Sequence, residues 1–119
     1  MNKLQVVLLA LSGLLLPLAA TAGDETGAEL YTMYCTQCHG FDGDGRGVNA
    51  AVMEVLPRAH SDPVEMGARQ DSDLTKVIDG GGKSINKSVL MPAWGAYLTP
   101  EQIEKLVRHL RVLCCGEAP

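Results

Sequence analysis

Apolar residues recur at helical spacing most clearly near the end of this chain. Ile103, Leu106, Val107, Leu110 and Leu113 fall on one side of a 3.6-residue repeat, the pattern of a helix with one buried face. Its start is well marked: Thr99 is an N-cap, Pro100 suits the first helical position, and Gln102 completes a capping box. Arg108 and Arg111 lie near its C-terminal end, with Gly116 just beyond. A shorter stripe, Leu74, Val77 and Ile78, follows the helix start Asp71-Ser72-Asp73 and stops at Gly80-Gly81-Gly82. Toward the N-terminus, Asp24-Glu25-Thr26 caps a helix running to about Cys35, with Gly27, Tyr31 and Cys35 on a shared face. No strand-like alternation of useful length appears, so the pattern predicts an all-α chain with long loops.

Between these helices the punctuation is dense. The run from Gly40 to Gly47 carries four glycines and two aspartates and reads as a tight loop. It is a poor calcium loop, because Asp42 and Asp44 are too few carboxylates and no Glu follows where one is required. Asn49 to Leu56 has room for a short helical turn that Pro57 stops. From Pro57 to Pro63 two prolines predict extended or turning backbone, and Lys83 to Val89 reads as loop.

The N-terminus is of another kind. Asn2 and Lys3 precede an apolar run from Leu4 to Leu18, and Ala20-Thr21-Ala22 fits a small-x-small cleavage site. Residues 1–22 therefore read as a secretory signal peptide, with retention as a membrane anchor the alternative. Residues 23–119 make one small domain, expected in the periplasm after crossing the inner membrane. The formal net charge of −4 argues against binding nucleic acid, which requires clustered cations. With one Trp, three Tyr and one Phe, the domain has few rings with which to build a core.

The chemistry concentrates in Cys35-Thr36-Gln37-Cys38-His39. Two thiols two residues apart, followed at once by an imidazole, have the spacing for covalent haem attachment. Each thiol can add to one vinyl group, and His39 is then placed to bind the iron. A dithiol redox centre would call for a βαβ context, which is missing from the pattern. A zinc site would need a second ligand pair, and the adjacent Cys114 and Cys115 are badly spaced for one. A buried macrocycle would also supply the apolar surface that the ring-poor chain lacks.

The second axial position decides the chemistry: left open it binds small molecules, and filled by Met it becomes an electron-transfer centre. Met33, Met53, Met66, Met91, His60 and His109 are the candidates. Met33 shares a helix with Cys35 and so lies on the His39 side. Met91 is best placed, after a flexible loop and directly before Pro92.

Taken together, Cys35 to Gly40, the loop with Asp44-Gly45, Pro57, Met91-Pro92-Ala93-Trp94-Gly95 and the closing helix resemble a class I c-type cytochrome of the small bacterial mono-haem kind. The resemblance implies an all-α, cytochrome c-like fold of about three to five short helices and long loops around one covalent haem c. It implies thioethers at Cys35 and Cys38, and His39 and Met91 as axial iron ligands. It also implies that Gly27 and Tyr31 pack against Leu106 and His109, and that the Pro57 carbonyl accepts the Nδ1 hydrogen of His39.

Three features depart from the family pattern. His109 stands where an aromatic is usual and reads as a helix-packing residue. His60 replaces an apolar or aromatic residue and reads as an exposed titrating group or an alternative ligand. Adjacent cysteines rarely pair with one another, so Cys114 and Cys115 point to free thiols or to a disulfide dimer. The function implied is electron transfer by an Fe(II)/Fe(III) cycle, not catalysis, between redox protein partners. Lys83 and Lys87 are available to steer a partner by weak attraction. The alternatives are a haem subunit of a larger oxidoreductase, and a haem enzyme or gas binder with a labile Met91.

Overall fold

The computed structural model describes residues 23–116; the segment 1–22, expected to be a signal peptide, lies outside them. Within this span five α-helices occur in order, α1 Gly27–Tyr34, α2 Thr36–His39, α3 Pro63–Gly67, α4 Asp71–Gly80 and α5 Pro100–Cys115. Short 3-10 turns lie at Ala50–Val52, Gly82–Ile85 and Trp94–Ala96, and no strand appears among the described residues. None of the described helices is long and apolar enough to cross a membrane.

The capping chemistry read from the sequence is in place. Thr26 Oγ1 accepts from the Glu29 amide at 3.2 Å, and the Glu29 carboxylate accepts from the Thr26 amide at 2.8 Å. Thr99 and Gln102 repeat the exchange at the start of α5, at 3.2 and 2.9 Å. Each box satisfies amide donors that a helix start otherwise leaves to water.

The core is where α1, α3, α4 and α5 meet. Leu30, Tyr31, Met66, Leu74, Ile78, Leu98, Ile103, Leu106, Val107, Leu110 and Cys114 form one buried cluster. Each fully buried large aliphatic side chain contributes roughly 1.5–3 kcal/mol, and Leu30, Met66 and Leu106 are at most 1% exposed. The helix crossing expected at Gly27 is present. A Cβ there would lie 2.2 Å from the Lys105 carbonyl and 2.9 Å from His109 Cβ, so only glycine lets α1 and α5 approach this closely. Lys105 Nζ donates to the carbonyls of Gly23 and Glu25 at 3.0 and 2.9 Å, tying the entry of α1 to α5.

One expectation is corrected, and the structure adds a helix and an interhelical link that the pattern does not show. Pro57 to Asp62 is extended or turning as expected, and Asp62-Pro63 then starts α3: the Asp62 carboxylate accepts from Val64 and Glu65 amides at 2.9 and 3.0 Å, and Pro63 takes the first turn. Arg111, near the end of α5, reaches across to neighbouring helices. It donates to Asp71 Oδ1 at 2.8 Å and to the carbonyls of Met66 and Arg69 at 2.8 and 2.6 Å, linking α5 to α3 and α4. Finally, Cys114 and Cys115 are joined to each other, which occupies the sulfurs that a disulfide dimer would need. The pair lies in the last turn of α5, just before Gly116 turns left-handed at φ 65°, where the helical ladder no longer holds the backbone on both sides.

Candidate haem site

α2 carries Cys38 and His39, with Cys35 as its N-cap, and the glycine-rich loop holds it. Gly45, Gly47 and Asn49 amides donate to the carbonyls of His39, Cys38 and Gln37 at 2.8, 3.0 and 2.9 Å. The loop thus supplies partners for the carbonyls at the end of a one-turn helix, which could not persist alone. Gly40, Gly43 and Gly45 all have φ between 69° and 79°, and a Cβ on Gly47 would fall 2.4 Å from the Gln37 carbonyl. Asp44 closes the turn by accepting from the Arg46 amide at 2.9 Å. It acts as a turn residue, in keeping with the rejection of a calcium loop.

Cys35 and Cys38 are both free thiols, partly buried. Burial, with a smaller contribution from the neighbouring Cys38, pushes the Cys35 thiol up to about 12. Asn49 Nδ2 lies 3.8 Å from Cys38 Sγ. His39 Nδ1 is 2.9 Å from the carbonyl of Arg58, so Nδ1–H donates there and the lone pair is left on Nε2. The acceptor is therefore Arg58 and not Pro57. The Pro57 carbonyl lies against Gly45, where a Cβ would be 2.6 Å from it. Burial lowers the His39 pKa, keeping the imidazole in the neutral form that can bind a metal.

Met91 sits at the end of a loop anchored on α4. Its carbonyl accepts from the Gly82 amide at 3.0 Å and its amide donates to the Ser88 carbonyl at 3.3 Å. Gly81 and Gly82 permit this, since a Cβ on Gly81 would be 2.8 Å from the Met91 carbonyl and one on Gly82 3.1 Å from Met91 Cβ. Past Pro92, Trp94 packs on Tyr34 with ring centroids 5.1 Å apart, and Gly95 lies against the Asp79 side chain. The Met91-Pro92 segment is thereby tied to both α1 and α4.

The other candidates take other places. Met66 is wholly buried in the core and Met33 is half exposed on α1. His109 packs against Tyr31, centroids 5.2 Å apart, as a helix-packing residue. His60 is not the exposed titrating group expected from the sequence. It is partly buried, its ring stacks on His39 at 4.0 Å with 15° between planes, and its Nδ1 is 3.0 Å from the Tyr31 hydroxyl. Burial first, then His39, Arg58 and His109, hold its pKa well below the ordinary histidine range. No sequence pattern pairs residue 39, at the end of α2, with residue 60, in a turn before α3.

The donor set fits a covalently bound haem: two free thiols and an imidazole on one turn, with that imidazole's second nitrogen already committed. Val52, Val55, Leu56, Val89 and Leu90 present apolar side chains that the protein's own core does not cover. Among the described residues no group of three or more His, Cys, Asp or Glu is arranged to hold a separate metal ion.

Comparison with known proteins agrees. A segment of a quinohemoprotein alcohol dehydrogenase, ADH-IIG of Pseudomonas putida, is 32% identical over 90 residues; the match takes 76% of this chain but only 10% of that enzyme. The KustC0563 c-type cytochrome has the same fold, with a TM-score of 0.62 at 24% identity over 76% of this chain and 99% of that one. A chain of the Kuenenia stuttgartiensis reducing HAO-like complex Kustc0457/Kustc0458 superposes with a TM-score of 0.61 at 28% identity, over 76% of this chain and 43% of that one. The family profile described as cytochrome c oxidase, cbb3-type, subunit III matches residues 22–110. The chain belongs to that family: it is a small c-type cytochrome that binds haem c covalently and serves haem-based electron transfer.

Proposed function

We propose that this protein is a periplasmic electron carrier in which Cys35 and Cys38 hold one haem c, and His39 and Met91 are its axial ligands. The observation that carries the reading is the His39 hydrogen bond to Arg58: it fixes the tautomer that aims Nε2 at a metal, on the same helical turn as two free thiols. The haem supplies a one-electron Fe(II)/Fe(III) change. The chain's residues hold the ligands still across that change, which keeps reorganisation small. Burial and a thioether ligand both favour the less charged ferrous form and raise the potential. Met66 is committed to the core and His60 stands against the face of His39, on the same side of the site. Met91 sits on a glycine-built loop of its own.

With both axial positions filled the protein is a carrier and not an enzyme, and its partners are redox proteins. Lys83 and Lys87 are exposed and make no ion pair among the described residues. They are available to steer an acidic partner in a salt-sensitive way.

A second reading, a haem-bearing subunit docked on a larger oxidoreductase, draws on the comparisons. The related segment in Pseudomonas putida is part of an alcohol dehydrogenase, and the Kuenenia chain is part of a complex. The location rests on the signal-like segment 1–22.

Absorption spectra of the matured protein, oxidised and reduced, beside Met91→Ala test the ligand assignment. The wild type should be low-spin in both states. The variant should lose the weak iron–sulfur absorption and bind carbon monoxide when reduced. An unchanged variant spectrum would overturn Met91 as ligand and move the assignment to Met66 or His60, and carbon monoxide uptake by the reduced wild type at neutral pH would overturn the carrier reading.

A further inference from the structure

Four residues distant in sequence form one connected group behind the haem-binding turn. The His60 ring lies flat on that of His39, 4.0 Å away and 15° from parallel. Its Nδ1 is 3.0 Å from the Tyr31 hydroxyl. Tyr31 is 1% exposed, and its ring is 5.2 Å from that of His109 on α5. The loop closes the remaining side: a Cβ on Gly43 would lie 3.2 Å from His60 Cβ, and the Ser61 amide donates to the Gly43 carbonyl at 2.9 Å.

We infer that His60 is a positioning residue for the axial imidazole, setting the rotation of the His39 ring about its metal-binding nitrogen. The hydrogen bond to Arg58 restrains that ring at one atom and leaves it free to rock about the N–O direction. A flat ring against its face removes that freedom, because turning His39 would drive its edge into His60. His60 can act as a stop only because it is itself held, by Tyr31 from α1 and by the Gly43 backbone. The α1–α5 crossing, which fixes Tyr31 against His109, is thereby coupled to the orientation of an iron ligand.

The consequence is electronic. The plane of an axial imidazole determines how the unpaired electron of a ferric haem is distributed over the macrocycle, and so it bears on the potential and on which edge couples best to a partner. The inference rests on the reading above that His39 binds the iron.

Two volume-filling variants separate the flat ring from mere packing. His60→Phe keeps a ring that can stack, whereas His60→Leu fills the space with nothing planar. On the matured ferric protein, the pattern of hyperfine-shifted haem methyl resonances and the low-temperature electron paramagnetic resonance g-values report the imidazole plane. His60→Leu is expected to reorder the methyl shifts, change the g-anisotropy and move the midpoint potential, while His60→Phe stays close to wild type. Identical spectra for wild type and both variants, or equal changes in both, would overturn the inference. The reading of His39 as ligand fails differently, through a wild-type spectrum that is not that of a histidine-ligated low-spin haem. Should His60→Leu not mature, Tyr31→Phe decides: it keeps the stack and removes the hydroxyl that holds His60, and broadened or shifted g-values are expected, with unchanged values counting against the inference.

Discussion

At the scale of single residues, Gly27 shows how much one hydrogen in place of a methyl can decide. The Lys105 carbonyl and His109 Cβ occupy the space a side chain would need, and neither can move without shifting α5. Gly67, at the end of α3, has nothing within 4 Å of where its Cβ would be. The two glycines therefore make a matched pair. Gly27→Ala should forfeit about 1–3 kcal/mol through overpacking at the crossing, read as a lower midpoint in urea unfolding of the matured protein. Gly67→Ala should be neutral or slightly stabilising, by up to ~1 kcal/mol, since alanine is the better helix former. Equal effects at both sites would mean that the crossing tolerates separation and that Gly27 is there by accident.

At the scale of elements, α5 ties the others together. It packs along α1, supplies Ile103, Leu106, Val107, Leu110 and Cys114 to the core, and reaches α3 and α4 through Arg111. Its start rests on Thr99, whose hydroxyl accepts from Gln102 while Gln102 returns the bond. Thr99→Ala should cost about 1 kcal/mol, and Thr99→Ser almost nothing, both measured by denaturant unfolding. This helix was legible because its stripe, its cap and its N1 proline all agree. α3 was not read, although Asp62-Pro63 is itself a cap followed by an N1 proline; a five-residue helix has too few apolar positions to show a period, so the two prolines dominated the reading. The site divided along the same line. Cys35, Cys38 and His39 are local in sequence and their spacing identifies them. The acceptor of the His39 hydrogen bond and the stacked His60 arrive from a loop whose path depends on Gly43 and Gly45. Pro57 and Arg58 are neighbours whose carbonyls meet different residues, and no composition rule separates them. The pairing of Cys114 with Cys115 was missed for another reason: a general rule against adjacent disulfides was applied to a helix end, where the chain is least bound by it.

At the scale of the whole molecule, what matters is how a domain with so few aromatic rings becomes stable. Its core is mainly aliphatic and centred on α1 and α5, and segments 52–56 and 89–90 contribute nothing to it. There Val52, Val55, Leu56, Val89 and Leu90 are 89, 65, 67, 75 and 57% exposed in the protein alone. Domains are held by a net of only about 5–15 kcal/mol, so a core with few rings leaves a small margin. A tightly held group bound only by the folded state adds to that directly. Two thioethers make the addition permanent, since the haem cannot be lost by dilution. The matured protein should therefore unfold in one cooperative transition, while Cys35→Ser/Cys38→Ser, which cannot attach haem, should lose the haem's contribution and with it most of the net stability. Near-ultraviolet circular dichroism and urea titration of the two forms check this: the variant should show weak tertiary signal and a shallow, early transition. A variant with a steep transition at the wild-type midpoint would mean that the α1–α5 core folds by itself and that the haem is an addition to a finished structure.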